Sequence, residues 1–117
     1  MNPSQRPVAA AIAASLVNRA RYHRVYDHAA EQYLEIGVDT RSGEVAAFDY
    51  GRRAHVSGAP ESVYDHGAQS HLQFDVNGAV VRGYDYGSGF HFHASVADTR
   101  IDFFDYAADA YFTFQVA

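Results

Sequence analysis

Apolar and polar residues alternate along most of the chain. Leu34, Ile36 and Val38 stand two apart, as do Leu72, Phe74 and Val76, then Phe92, Ala94 and Val96, then Phe112, Phe114 and Val116. A period of two is that of strands with one face buried. It predicts strands near 32–38, 44–50, 61–66, 70–76, 79–86, 90–96, 99–106 and 110–116, with a short extra strand near 53–57 broken by Gly58-Ala59-Pro60. The first 24 residues read differently. Ser4 can cap a helix, Pro7 is tolerated in a first turn, and the Ala-rich run Val8–Ala20 has no glycine. Ile12, Leu16, Ala20 and His23 recur at spacings of three and four, which predicts an amphipathic helix within 1–24 whose apolar side covers a sheet.

The strand region is built on a recurring tetrapeptide. Tyr26-Asp27-His28-Ala29, Phe48-Asp49-Tyr50-Gly51, Tyr64-Asp65-His66-Gly67, Tyr84-Asp85-Tyr86-Gly87 and Phe104-Asp105-Tyr106-Ala107 begin 22, 16, 20 and 20 residues apart. A unit of about 20 residues with period-two apolar positions is a hairpin. The expected fold is therefore one domain over 1–117, mainly β (α+β). An N-terminal helix (1–24) packs on an antiparallel up-and-down meander (25–117) of about eight or nine strands, open or curled toward a barrel.

Turn residues suggest a register. Asn77-Gly78 is a strong hairpin signal and is expected to set Val76 opposite Ala79; Gly87-Ser88 should set Tyr86 opposite Gly89. With Gly67-Ala68, Ala97-Asp98 and Ala107-Ala108 in equivalent turns, Val63, Leu72, Gly83, Phe92, Phe103 and Phe112 form a row on the core face. The opposite face then carries Tyr64, His71, Tyr84, His91, Phe104 and Tyr111, beside a row containing Arg82, His93 and Asp102. These are the candidate interface or ligand-binding residues. His91 and His93 share a strand face, and Asp102 is expected opposite His93, which makes the three a candidate metal site. The repeated Asp residues suit turn entry, because an Asp side chain accepts hydrogen bonds from nearby backbone N–H groups. Asp65, Asp85 and Asp105 fall on the core side, so they require partners, and Arg19, Arg21 and Arg24 are the expected ones.

Charge supports that pairing. Residues 1–24 carry four arginines and no acid, against five arginines and 14 acids in the remainder; the formal charge of the whole is −5. An acidic body argues against nucleic acid as a partner. The apolar run is too short to span a bilayer and lacks a small-residue cleavage site, so a membrane or secretory role is not expected and a cytoplasmic location is. The chain has no Cys. It has no lysine either, which removes Schiff-base and P-loop chemistry. No G-x-S-x-G, H-E-x-x-H or G-x-G-x-x-G motif occurs between appropriate elements, so neither an enzyme nor a cofactor is expected. What remains is a non-catalytic interaction protein. The first expectation is homo-oligomerisation through the aromatic and His face; the alternatives are a carbohydrate or small-ligand module on that face, or a weak divalent-metal site at His91 and His93.

Overall fold

The computed structural model describes all of residues 1–117, with one α-helix, two short 3-10 turns (Pro3–Gln5 and Pro60–Ser62) and ten antiparallel strands. The helix is α1 (Arg6–Asn18). The strands are β1 (Tyr22–Asp27), β2 (Gln32–Asp39), β3 (Val45–Asp49), β4 (Ala54–Gly58), β5 (Val63–Asp65), β6 (Ser70–Asn77), β7 (Val80–Asp85), β8 (Phe90–Ala97), β9 (Arg100–Asp105) and β10 (Ala110–Val116). Each strand pairs with its neighbour in sequence, and β1 pairs with β10, with Val25 opposite Val116, so the meander closes into a barrel. Closure removes the sheet edges that an open meander would leave unpaired.

The helix does not lie on a sheet face: it runs through the middle of the barrel. Every residue from Val8 to Ala14 is fully buried. A helix that is apolar on all sides belongs inside a protein, and the Ala-rich sequence supplies a second requirement, a narrow cylinder. Ala9, Ala10, Ala11, Ala13 and Ala14 keep α1 slim enough for strand side chains to surround it. On one side these are the small or branched Val25, Ile36, Val38, Val45 and Val56; on the other they are Phe74, Phe92, Phe103 and Phe114. The Phe92 ring occupies the space opposite Gly83, its cross-strand partner. A Cβ added at Gly83 would stand 2.2 Å from Phe92 Cζ and 2.4 Å from the carbonyl oxygen of Gln73.

Two features near the N-terminus differ from expectation. The helix ends at Asn18, where Arg19 turns left-handed (φ 51°), and Tyr22–Asp27 is a strand. Ser15 Oγ bonds both the Ala20 carbonyl and Thr40 Oγ1, tying that turn to β2. The tetrapeptide itself carried the signal for β1, since each copy ends a strand and the first needs one too.

The barrel has two unlike ends. At one end the hairpins β1–β2, β3–β4, β5–β6, β7–β8 and β9–β10 turn through four residues, and the last of these has positive φ each time: Glu31, Arg53, Gln69, Gly89 and Asp109. Here the registers agree with expectation, with Val63 opposite Leu72, Asp85 opposite Phe90 and Ala110 opposite Asp105. At the far end Asn77 pairs with Val80, so Val76 faces Val81 and not Ala79. Gly78, with φ +64°, is the first loop residue, the place where a II′-type turn requires glycine. Ala97 likewise pairs with Arg100. Each of these two turns shifts the register by two residues, so faces are preserved but rows become staggered. A barrel of tilted strands needs such stagger to close.

The Asp residues ring the first end from inside. Asp49, Asp65, Asp85 and Asp105 are buried. Each also holds its own turn: Asp65 accepts from the N–H of Gly67 and Ala68, Asp85 from Gly87, and Asp105 from Ala107. Their charge partners are not Arg19, Arg21 or Arg24. Arg52 donates to Asp49 (2.6 Å) and to both oxygens of Asp65; Arg6 Nε donates to Asp105 at 2.9 Å, the Met1 amine lies 3.2 Å from Asp105, and Gln5 Nε2 donates to Asp65. The reason is polarity. The helix starts at the Asp end and runs away from it, leaving Arg19 at the far end, while the helix N-terminus favours nearby anions. Burial alone would push the Asp105 carboxyl up, but Arg6, the Met1 amine and the Ala107 N–H together hold it below its ordinary value.

Candidate binding site

With the bore filled by α1, the exposed surface of the barrel is what remains for recognition. At the Asp end each hairpin carries three clustered rings: the leading aromatic, the residue two after it, and the residue seven after it, directly across the hairpin. The sets are Tyr26/His28/Tyr33, Phe48/Tyr50/His55, Tyr64/His66/His71, Tyr84/Tyr86/His91 and Phe104/Tyr106/Tyr111. In each set the leading ring meets the other two edge to face at centroid distances of 4.7 to 5.0 Å. Such contacts each contribute about 0.5–1.5 kcal/mol beyond area burial. The leading ring clamps the hairpin outside while its neighbouring Asp holds the turn inside.

The sequence-derived candidates are thus brought together in pairs, not in one row. Tyr64 faces His71, Tyr84 faces His91, and Phe104 faces Tyr111. The stagger places Gln73, not His71, opposite Tyr84, and His93, not His91, opposite Phe104. Closure separates them further. β5 and β10 are five strands apart in a ring of ten, so Tyr64 and Tyr111 lie on opposite sides of the molecule.

Asp102 does not meet His93 either. It faces Ser95 and Thr113, and accepts hydrogen bonds from Thr113 Oγ1 and Arg100. No three His, Asp or Glu side chains are grouped closely enough to hold a metal ion.

The surface has several open clefts, among them a larger one of about 660 Å³ at the far end beside Leu16, Arg19 and Arg41; the one on β7–β9 coincides with a break in the hairpin pattern. This cleft, of about 490 Å³, is lined by Arg82, Gly89, Phe90, His91, Phe92, His93 and Tyr106. It arises where one hairpin departs from the other four. Six residues after the leading aromatic, the other copies have Gln32, Ala54, Ser70 and Ala110; here stands Phe90, 49% exposed. Nine residues after it they have Glu35, Ser57, Gln73 and Thr113; here stands His93. At the left-handed turn position this hairpin alone has glycine, Gly89. His93 stacks on Phe104 (5.4 Å, 20°), and its Nδ1 lies 3.1 Å from the Tyr106 hydroxyl. His91 Nδ1 donates to the carbonyl of Gly83 at 3.3 Å. Burial first, and the charge of Arg82 second, lower the His93 pKa from its ordinary value of 6.5. Arg82, His91 and His93 were legible as candidates; Phe90 and Tyr106 were not. Aligning the five copies and asking which positions break the pattern would have found Phe90.

No protein-family model, curated protein or solved structure matches this chain. No helix is long and apolar enough to cross a membrane.

Proposed function

We propose that the protein is a non-catalytic binding module whose working surface is the cleft on β7–β9, and that its ligand is a small ring-bearing molecule. The observation that supports this is the local break in the hairpin pattern: Phe90, His93 and Gly89 sit together where the other four hairpins carry small or polar side chains or a bulkier turn residue. A half-exposed phenylalanine is a costly thing to hold in water, and a mostly apolar cleft with a few convergent polar groups is the usual form of a ligand site. Fragment screening by NMR tests the reading. Ring compounds, monosaccharides among them, are expected to shift the resonances of Phe90, His93 and Tyr106, and Phe90→Ser should abolish the response. Silence across a panel of aromatic and sugar fragments at millimolar concentration would contradict it.

Self-association is the second reading. It is supported by Tyr86, Phe90, Tyr106 and Tyr111, which are all between 47% and 63% exposed on one side of the barrel. The curvature of the barrel limits any such contact to that sector. Light scattering at high concentration should then report a dimer that Tyr111→Ser dissociates; a monomeric mass throughout removes this reading.

A further inference from the structure

The polar groups of the cleft narrow the class of ligand. Arg6, Arg41, Arg52 and Arg100 each hold a carboxylate. Arg82, like Arg19, Arg21, Arg24 and Arg53, makes no ion pair, and Asp75 faces it across the strand pair; of these five only Arg82 lines the β7–β9 cleft. It is the guanidinium at the rim of the apolar cleft, with no direct ion pair, on a protein of net charge −5. Beside it, the His93–Tyr106 pair always leaves a donor free. If the Tyr106 hydroxyl donates to Nδ1, the neutral imidazole carries its proton on Nε2; if Nδ1–H donates, the hydroxyl hydrogen is free. The His91 ring is fixed, because a carbonyl oxygen only accepts and Nδ1 must carry the proton. The cleft therefore combines one guanidinium, one neutral donor pair and the exposed ring of Phe90.

We infer that the cleft takes a small aromatic monocarboxylate, with its carboxylate on Arg82 and the His93–Tyr106 pair and its ring against Phe90. This rests on the binding reading given above and makes it specific. A charge-assisted, two-point contact is the strong form of carboxylate recognition. An ammonium ligand would meet Arg82 as a like charge, and a neutral amide would forgo the ionic part of the contact.

Isothermal titration with 2-naphthoate and 2-naphthamide separates the possibilities. The acid is expected to bind at least tenfold more tightly than the amide, with the preference shrinking as salt rises. Arg82→Gln should reduce the acid to the level of the amide without altering the unfolding midpoint, whereas Arg24→Gln, on the other side of the barrel, should change nothing. Phe90→Ser should weaken both compounds. Equal affinity of acid and amide for the unaltered protein would overturn the carboxylate inference and leave the binding reading standing. Absence of heat and of chemical-shift change with both compounds at millimolar concentration would overturn the carboxylate inference, and silence of the sugar and other ring fragments as well would overturn the binding reading.

Discussion

At the scale of single residues, the buried charges decide most. Arg52 is the sole cation against Asp49 and Asp65, both of which lie inside the barrel. Removing it leaves two carboxylates without compensation, and breaking a buried pair in this way costs about 3–5 kcal/mol. Arg52→Met is therefore expected to lower stability by that order in urea unfolding, and Arg52→Lys to recover only part, because one ammonium cannot reproduce the forked contact with two acids. A loss below about 1 kcal/mol would mean the ring is not closed as described. Asp105 contributes to acid sensitivity. Its folded pKa lies below the ordinary 3.8, so on acidification the unfolded state takes up the proton first. The stability it contributes is present above pH 3.8 and is lost as pH falls below it. Urea midpoints should drop as pH falls below 3.8, and Arg6→Met should flatten that drop. His93 runs the same way at higher pH: stability is full above 6.5 and declines as pH falls below it. By NMR, His93 should titrate below 6.5, and Arg82→Gln should move it upward. The Asp residues were legible as turn formers that need partners. Which cations reach them was not, because sequence alone does not say which end of α1 enters the Asp end.

At the scale of elements, the helix and the far-end turns show what period counting misses. The spacing of Ile12, Leu16 and Ala20 reads as one apolar side, yet alanine is apolar enough to be buried and small enough to look neutral in such a pattern. Read instead by volume, Val8–Ala14 is a thin rod with no polar side. That property makes the bore intolerant of larger residues. Ala10→Leu is expected to cost about 1–3 kcal/mol or more through overpacking, whereas the same change on a sheet-covering helix could be absorbed at the periphery. Gly83→Ala should be at least as damaging, since one clashing atom belongs to the backbone at Gln73 and cannot swing away. At the far-end turns, Asn77 and Ala97 pair where loop residues were expected. Composition favoured Asn-Gly as the loop, but the required positive φ falls on Gly78 and on Asp98, each the first residue of its turn.

At the scale of the whole molecule, ten strands and an inner helix make a scaffold whose five Asp-end hairpins share one pattern, from which β7–β8 departs at Gly89, Phe90 and His93. The hairpin spacing made the strands readable, and the faces with them. Closure was harder to read: it depends on β1, a short strand that directly follows the Ala-rich helical run and whose signal lies in the first tetrapeptide copy, and on a stagger of two residues that side-chain alternation does not report. The same stagger and curvature turn a supposed flat aromatic face into separate ring clusters, which is why the expected His93–Asp102 pairing is absent and why Phe90 and Tyr106 emerge beside His93. The claim that function resides where the pattern breaks is tested most directly by mapping chemical-shift changes over the whole protein during titration with an aromatic carboxylate. The expected map is confined to Arg82, Gly89, Phe90, His91, His93 and Tyr106, with the ring clusters at Tyr26, Phe48 and Tyr64 unmoved. Shifts distributed equally over all five hairpins, or concentrated away from β7–β9, would contradict it.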